Sequence, residues 1–325
     1  MSRQPESTRT VLLIAHVERE EATKVAATFG NDLRAEGVSV RVFDVDAEPL
    51  QGAGLDLSSG VEVVATGDGE TDGPMDGAAV GCELAVVFGG DGTILRAAEL
   101  CRGSGTPVLG VNLGHVGFLA EADVEDVHEV VRRVVARSWT VEERLTIDVR
   151  VSVSGPDGSK VVAETWALNE ASVEKASRER MVDLVVEIDG RPVSRWGGDG
   201  VVCATPTGST AYNFSAGGPI VWPEVHALLI APISAHALFA RPLVVSPDST
   251  LALEVVGVQS SAVLWCDGRR TVDLPFGARV EVVRGHEPVR LARLHAAPFA
   301  DRLVRKFDLP VQGWRGAAEQ RRNGG

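Results

Sequence analysis

The sequence predicts an α/β domain built on a parallel sheet, then a mostly β domain, and finally a helix that packs back on the first domain. Three observations predict this. Up to about residue 144, short apolar runs alternate with helix-favouring stretches, the rhythm of a parallel sheet with crossover helices. After it, strand-like segments follow one another with turn signals between them. Helical patterning then returns from Pro298 to Phe307. The expected boundaries are 1–144, 145–297 and 298–325, the last span including a polar, frayed tail from Gly316 to Gly325.

Element by element, VLLIAHV (Val11 to Val17) is a short apolar run suited to a buried strand. Glu18 to Glu36 favours helix, Gly37 stops it, and VSVRVFD (Val38 to Asp44) alternates like a strand. Gln51 to Gly81 is rich in Gly, Asp, Ser and Thr and reads mostly as a long, mobile acidic loop, with VEVVAT (Val61 to Thr66) as a short strand inside it. LAVVF (Leu84 to Phe88) and PVLGV (Pro107 to Val111) are further buried strands. In DVEDVHEVVRRVVARSW, Val124, Val127, Val131, Val134 and Val135 share one helical face behind an Asp start. Past Arg144 the strand-like segments are LTIDVRVSV, VVAETWAL, MVDLVVEIDG, TLALEVVG, AVLWCDG and ARVEVVRG, with turn signals such as Gly155-Pro156-Asp157-Gly158. No internal repeat is visible.

Composition narrows the partners. Lys plus Arg total 32 against 45 Asp plus Glu, a formal charge of −13. A field of that sign repels nucleic acid and anionic membranes, so neither is an expected partner. It also means that a polyphosphate ligand must be held by local donors. The cysteines, Cys82, Cys101, Cys203 and Cys266, form no Cys-x-x-Cys pair and sit in or beside apolar runs. That usage suits a reducing cytoplasm, the expected location. The polar start MSRQPESTRT lacks the apolar core of a secretory signal, and no apolar run approaches the roughly 18 residues of a membrane span.

The most informative short segment is VVFGGDGTILRAAEL. A buried strand ends at Phe88, Gly89, Gly90 and Gly92 surround Asp91, and a helix begins near Thr93. Glycines let the backbone approach a ligand, and amides at a helix start are natural donors to phosphate. Asp91 would stand at the carboxyl end of a parallel strand, where ligands bind open α/β sheets. A bare Gly-Asp-Gly is more often a tight turn with a capping Asp; the flanking Gly89 and Thr93 and the incoming strand shift the reading to function. The loop is neither a Walker A motif nor Gly-x-Gly-x-x-Gly.

Three later segments belong with it. ALNEASVEK carries Asn169-Glu170, and GGDGVVCATPTGSTAYNFSAGGPIVWPEV runs from Gly197 to Val225. WCDGRR carries Asp267-Gly268, which alone reads as a hairpin corner. In the middle one, Thr205 to Thr210 offers hydroxyls and amides in a bend beside Tyr212, the single tyrosine of the chain, whose ring could stack on a base.

Together these segments resemble the NAD kinase family. The first loop alone also resembles diacylglycerol, sphingosine and 6-phosphofructokinases, but the run Thr205 to Tyr212 separates this chain from the lipid kinases. Gly89 to Thr93, Asn112-Leu113-Gly114 through Gly117-Phe118-Leu119, Asn169-Glu170 and Thr205 to Pro219 stand in family order. The resemblance runs from about Val11 to Trp314 with the stretch after Gln51 as a poorly matching insert, and HAAPFADRLVRKFDLPVQGWRG is similar to actinobacterial members.

The resemblance implies a Rossmann-like first domain and phosphoryl transfer from ATP, or polyphosphate, to the 2′-hydroxyl of NAD's adenosine ribose, giving NADP. It implies Mg²⁺ or another divalent cation with unassigned ligands, and a homodimer or homotetramer. It makes Asp91 the acceptor of the hydroxyl proton; orienting the hydroxyl or a Mg²⁺ ion is the alternative role. Gly89, Gly90, Gly92 and Thr93 form the phosphate loop, Gly92 contacts NAD, and Arg96, one helical turn on, either projects beside the phosphates or is a solvated helix arginine. Asn169 and Glu170 hold the adenosine portion with Arg180 close by, and Asp199 contacts the nicotinamide end, directly or across a subunit boundary. Thr210, Tyr212 and Ser215 line the adenine and ribose pocket, with Ala211, Asn213 and Phe214 in the same NAD-binding run. Some members carry a basic residue where this chain has Gly197. Arg269 is a weaker candidate, and His115, His226 and His236 fit no metal or triad spacing. A non-catalytic dinucleotide sensor and an NAD-dependent oxidoreductase are the competing readings from other classes.

Overall fold

The computed structural model describes residues 9–65, 77–113, 117–120, 127–155, 158–257, 261–295 and 298–310. The chain forms two compact units, Met1–Glu142 with Arg290–Gly325, and Glu143–Val289.

In chain order the first unit contains β1 (Thr10–Ala15), α1 (Glu20–Ala35), β2 (Ser39–Phe43), α2 (Asp44–Gly52), β3 (Val61–Val64), β4 (Leu84–Phe88), α3 (Asp91–Cys101), β5 (Val108–Val111) and α4 (Val127–Val135). β6 (Thr140–Arg144) leads into the second unit. There follow β7 (Ile147–Gly155), β8 (Gly158–Ala167), β9 (Glu170–Lys175), β10 (Val182–Ile188), β11 (Arg191–Gly198) and β12 (Gly200–Ala204). A 3₁₀ turn (Thr207–Thr210) and the one-turn α5 (Tyr212–Ser215) come next, then β13 (Leu228–Ile233), β14 (Leu243–Val245), β15 (Leu251–Val255), β16 (Ala262–Cys266), β17 (Arg270–Leu274) and β18 (Ala278–Arg284). β19 (Val289–Arg293) returns the chain to the first unit, whose last described element is α6 (Phe299–Phe307).

The first unit is a seven-stranded sheet ordered β3-β2-β1-β4-β5-β19-β6. From β3 to β19 every pairing is parallel. β1 and β4 are buried along almost their whole length, which is why they read as unbroken apolar runs. α1 lays Ala22, Ala26, Phe29 and Leu33 on the sheet, and the Phe29 ring meets Phe88 at 5.2 Å between centroids. α4 buries Val130, Val131 and Val134; the expected start of that helix, with Val124, lies outside the described residues. α6 flanks Phe118 with Phe299 and Phe307, at 5.9 and 5.8 Å between ring centroids. So the closing helix does pack on the first unit.

The second unit is a sandwich of two antiparallel six-stranded sheets, β11-β10-β15-β18-β7-β8 and β14-β13-β12-β9-β16-β17. Alternate residues such as Ile147, Val149 and Val151 point inward and join Trp196, Leu184, Leu253, Val201 and Leu264 in one core. β8 belongs to one sheet and β9 to the other, so the chain changes sheets at Leu168-Asn169.

The structure departs from the sequence reading in several places. The stretch read as loop from Gln51 to Gly81 begins inside α2, while the short strand expected within it is β3; residues 66–76 lie outside the described part. Helix α2 has polar residues and Pro49 within it, so only Asp46 and Leu50 face inward and no apolar stripe announces it. α3 starts at Asp91 rather than near Thr93, with Gly90 as its N-cap. β6, β9, β11 to β14, β17 and β19 are strands that no clean alternation announced; β12 and β13 are buried almost throughout. At the expected turn the ladder of β7 and β8 ends at Gly155 and Gly158, in keeping with the sequence; residues 156 and 157 lie outside the described part.

Candidate functional site

In the first unit the chain leaves buried β4 at Phe88 and enters α3 at Asp91. Thr93 N–H and Ile94 N–H both donate to the Gly90 carbonyl at 3.0 and 3.2 Å, which sets the first turn. The amides of Asp91 and Gly92 have no acceptor within the helix, the general condition of a helix start. Asp91 is bound through both oxygens. Oδ2 accepts from Phe118 N–H and Oδ1 from Leu119 N–H, each at 3.1 Å.

The opposite side of that short segment is held as firmly. Arg293 Nη1 donates to the Leu119 carbonyl at 2.9 Å, and Arg302 Nη1 to the Phe118 carbonyl at 3.1 Å. Asp91 is therefore braced by a segment that β19 and α6 brace in turn. Gly117 makes the close approach possible, because a Cβ there would come 3.0 Å from Asp91 Cγ. Gly92 is exposed, and Gly89 packs against the Thr93 side chain. Gly114 and His115, part of the run singled out in the sequence, lie outside the described residues.

Arg96 points from α3 to α2. Its Nη1 is 3.8 Å from Asp46 Oδ1, and its guanidinium lies 5.9 Å from the centre of the Phe43 ring. Asp46 is buried, and neither of its carboxylate oxygens has a hydrogen-bond partner. Burial pushes the Asp46 carboxyl above the usual carboxylate range while Arg96 pulls against it and Asp44 adds to the rise.

In the second unit the Asn169-Glu170 turn is held on two sides. Thr205 N–H donates to the Asn169 carbonyl at 2.9 Å, Thr205 Oγ1–H donates to the Leu168 carbonyl at 2.6 Å, and Gly208 N–H donates back to Thr205 Oγ1 at 3.1 Å. Gly208 lies flat on this turn: a Cβ there would overlap the Asn169 carbonyl and come 2.8 Å from its Cα. On the other side, Asp267 accepts from the amides of Leu168, Asn169 and Glu170 at 2.9, 2.7 and 3.4 Å. Glu170 is buried and its Oε2 has no hydrogen-bond partner. Its pKa is pushed up to about 8, first by burial and then by Asp267; the Tyr212 amide pulls it down and Glu174 adds a smaller rise.

The rest of the predicted run follows β12. Thr210, Ala211 and Tyr212 are half-buried, and Phe214 and Ser215 are exposed. Asn213 is turned inward, where its Nδ2 donates to the Pro219 carbonyl at 3.3 Å. Tyr212 O–H donates to Glu174 Oε2 at 3.4 Å, and Ser172 Oγ–H donates to Glu174 Oε1 at 2.6 Å. Burial and the Glu174 carboxylate raise the Tyr212 phenol pKa. Asp199 pairs with Lys175 Nζ at 2.5 Å, which holds its carboxyl below the usual range. Arg180 stands exposed in the connection from β9 to β10, and Arg269 lies in the turn from β16 to β17. Thus Asn169, Glu170, the Thr205 to Thr210 bend and Tyr212 come together. Asp91 and the Asn169-Glu170 turn belong to different units.

Comparison with known proteins now decides the family. The model of the ATP-NAD kinase N-terminal domain matches residues 11–139, and that of the ATP-NAD kinase C-terminal domain matches residues 168–294. An NAD kinase of Thermobifida fusca is 57% identical over 316 residues, covering 97% of this chain and 94% of that protein. The chain belongs to the NAD kinase family. NAD kinase 2 of Streptomyces coelicolor is 58% identical over 309 residues, with 95% of this chain and 97% of that one covered. Among solved structures, a yeast NADH kinase complexed with NADH has the same fold, with a TM-score of 0.80 at 24% identity over 94% of this chain and 90% of that one. An NAD kinase from Archaeoglobus fulgidus in complex with ATP gives a TM-score of 0.60 at 25% identity, over 92% of this chain and 97% of that one.

Several contributors carried no local signal. Arg293, Arg302 and Asp46 stand in none of the motifs of the sequence. Asp267 did carry one, an Asp-Gly corner, but its bonds to Leu168, Asn169 and Glu170 could not be read from it.

Proposed function

We propose that this chain transfers a phosphoryl group from ATP to the 2′-hydroxyl of the adenosine ribose of NAD, giving NADP. The observation that carries the reading is the carboxylate of Asp91, held through both oxygens by the Phe118 and Leu119 amides at the start of α3. Phosphoryl transfer needs positioning, charge neutralisation and a group that receives the hydroxyl proton. Each Asp91 oxygen keeps a second lone pair after accepting its amide, enough to orient the hydroxyl and take its proton late in the transfer. The Gly89 to Thr93 loop and the first-turn amides of α3 suit phosphate oxygens.

Asn169, Glu170, Thr210, Tyr212 and Ser215 would receive the adenosine part of NAD, with Ala211, Asn213 and Phe214 completing that run. Asp199 would face the nicotinamide end, and Arg180 would be recruited at the rim. Arg96, held near Asp46, would lie beside the phosphates. A Mg²⁺ ion fits this donor set: it needs one or two carboxylates besides phosphate oxygens and water, and Asp91 is the carboxylate of the loop. Such an ion would neutralise phosphate charge. The four free, buried cysteines favour a cytoplasmic location, and a homodimer or homotetramer is the expected assembly. Among the described residues no helix is long and apolar enough to cross a membrane.

The test is to incubate the protein with NAD, Mg²⁺ and either ATP or polyphosphate, following NADP with a coupled dehydrogenase. NADP should form with ATP, and Asp91→Asn should lower kcat by about a hundredfold or more while NAD still binds. NAD binding without NADP formation from either donor would replace the kinase with a sensor.

A further inference from the structure

We propose that Asp267 is a positioning residue for the dinucleotide, its carboxylate shaping the Asn169-Glu170 turn and Arg270 holding that carboxylate in place. The inference rests on the reading of that turn as an NAD contact. Asp267 and Gly268 both have positive φ, +53° and +65°, in the turn joining β16 to β17. An Asp-Gly pair takes such angles readily in a hairpin turn. Here the corner also carries a carboxylate across to the point where the chain changes sheets.

Four donors converge on the carboxylate. The amides of Leu168, Asn169 and Glu170 converge on it, and Arg270 Nη2 adds a charged donor at 3.0 Å to Oδ2. The Asp267 N–H donates in turn to the Glu170 carbonyl at 3.0 Å. Arg270 is itself fixed, with its guanidinium 4.6 Å from the Trp166 ring centre and Nη2 on the Trp166 carbonyl at 2.9 Å. The Asp267 side chain is 2% exposed, too enclosed for water to stand in for a lost oxygen. An asparagine would place an NH₂ group against at least one of these donors, yet tolerates positive φ well. Asp267→Asn therefore removes the chemistry and keeps the backbone.

Asp267 also acts on Glu170 through its charge. The groups facing Glu170 are Asp267 from the β16–β17 turn, Cys266 from β16, Glu174 from its own strand and Tyr212 from α5. Of the acids, Asp267 raises the Glu170 carboxyl most. Replacing it with a neutral side chain lowers the pH at which Glu170 ionises, a readout that a purely structural role would not move.

The experiment measures the NAD dissociation constant by titration calorimetry across pH, and KM for NAD and for ATP in the coupled assay. Asp267→Asn should raise the NAD constants by about tenfold or more, leave the ATP KM within about twofold, and shift the Glu170-dependent limb of the NAD-binding profile to lower pH. Arg270→Lys keeps the charge but loses the flat stacking on Trp166, so it should shift NAD binding the same way and serves if Asp267→Asn does not fold. Asp273→Asn, exposed on the same hairpin, should change nothing. NAD binding within about twofold of wild type in both Asp267→Asn and Arg270→Lys, with Glu170→Gln impaired, would overturn the positioning role alone. Unchanged NAD binding in Glu170→Gln, in a protein that still makes NADP, would overturn the turn as an NAD contact and this inference with it.

Discussion

Glu170 couples the candidate site to stability in a way that pH can expose. It is 8% exposed, Oε2 has no hydrogen-bond partner, and burial followed by the Asp267 charge pushes its pKa up to about 8 from 4.5. Between those two values the folded protein keeps a proton that the unfolded chain has released. Stability contributed by this group is thus fully present below the unfolded value and is lost as pH rises through the folded one. The slope is about 1.4 kcal/mol per pH unit. Glu170→Gln has nearly the same shape and is neutral throughout, so it escapes the loss. Relative to wild type, the variant should gain about 3 kcal/mol of unfolding free energy between about pH 5.5 and about pH 7.5, an upper figure because a compact unfolded state shares some of the burial. Urea titrations followed by tryptophan fluorescence at both pH values give the difference directly, since other titrating groups cancel between the two proteins. Parallel stability profiles for wild type and variant would refute the reasoning. A carboxyl kept at such a cost fits a site that is built for a ligand rather than for stability.

Other outcomes follow from the same geometry. Gly208→Ala should lower stability by about 2–4 kcal/mol in thermal or urea melts, because its Cβ would overlap the Asn169 carbonyl and the backbone must shift. Gly117→Ala should reduce kcat by at least about tenfold with a small change in melting temperature, since the methyl group would displace the Asp91 carboxylate, 3.0 Å away at Cγ, more than any core side chain. The four cysteines should be silent to a thiol reagent in the native protein and all react after denaturation, because they are buried and burial pushes Cys101, Cys203 and Cys266 up to about 12.

Much of the fold could be read from local pattern. Unbroken apolar runs such as Leu84 to Phe88 announce strands covered on both faces, and alternation in Ile147 to Val153 announces a strand of the β domain. Where both signals are weak the reading failed. α2 hides behind Pro49 and polar residues, and β12 is buried within a segment dominated by Gly, Thr and Pro.

By itself the sequence determined the class of each unit and the family. Both are carried by contiguous residues: the period of the apolar positions and the unbroken runs around Gly89 to Thr93 and Thr205 to Tyr212. Only the tertiary structure decided what holds the candidate site in shape. Asp267 reaches Leu168 across 99 positions of chain, and Arg293 reaches Leu119 across 174. Such meetings depend on strand register and on which sheet each strand joins, and a residue's immediate neighbours in sequence encode neither. The same is true of Asp46 and Arg96: the sequence left Arg96 open between a phosphate contact and a solvated helix arginine, and only the fold brings it 3.8 Å from the buried Asp46.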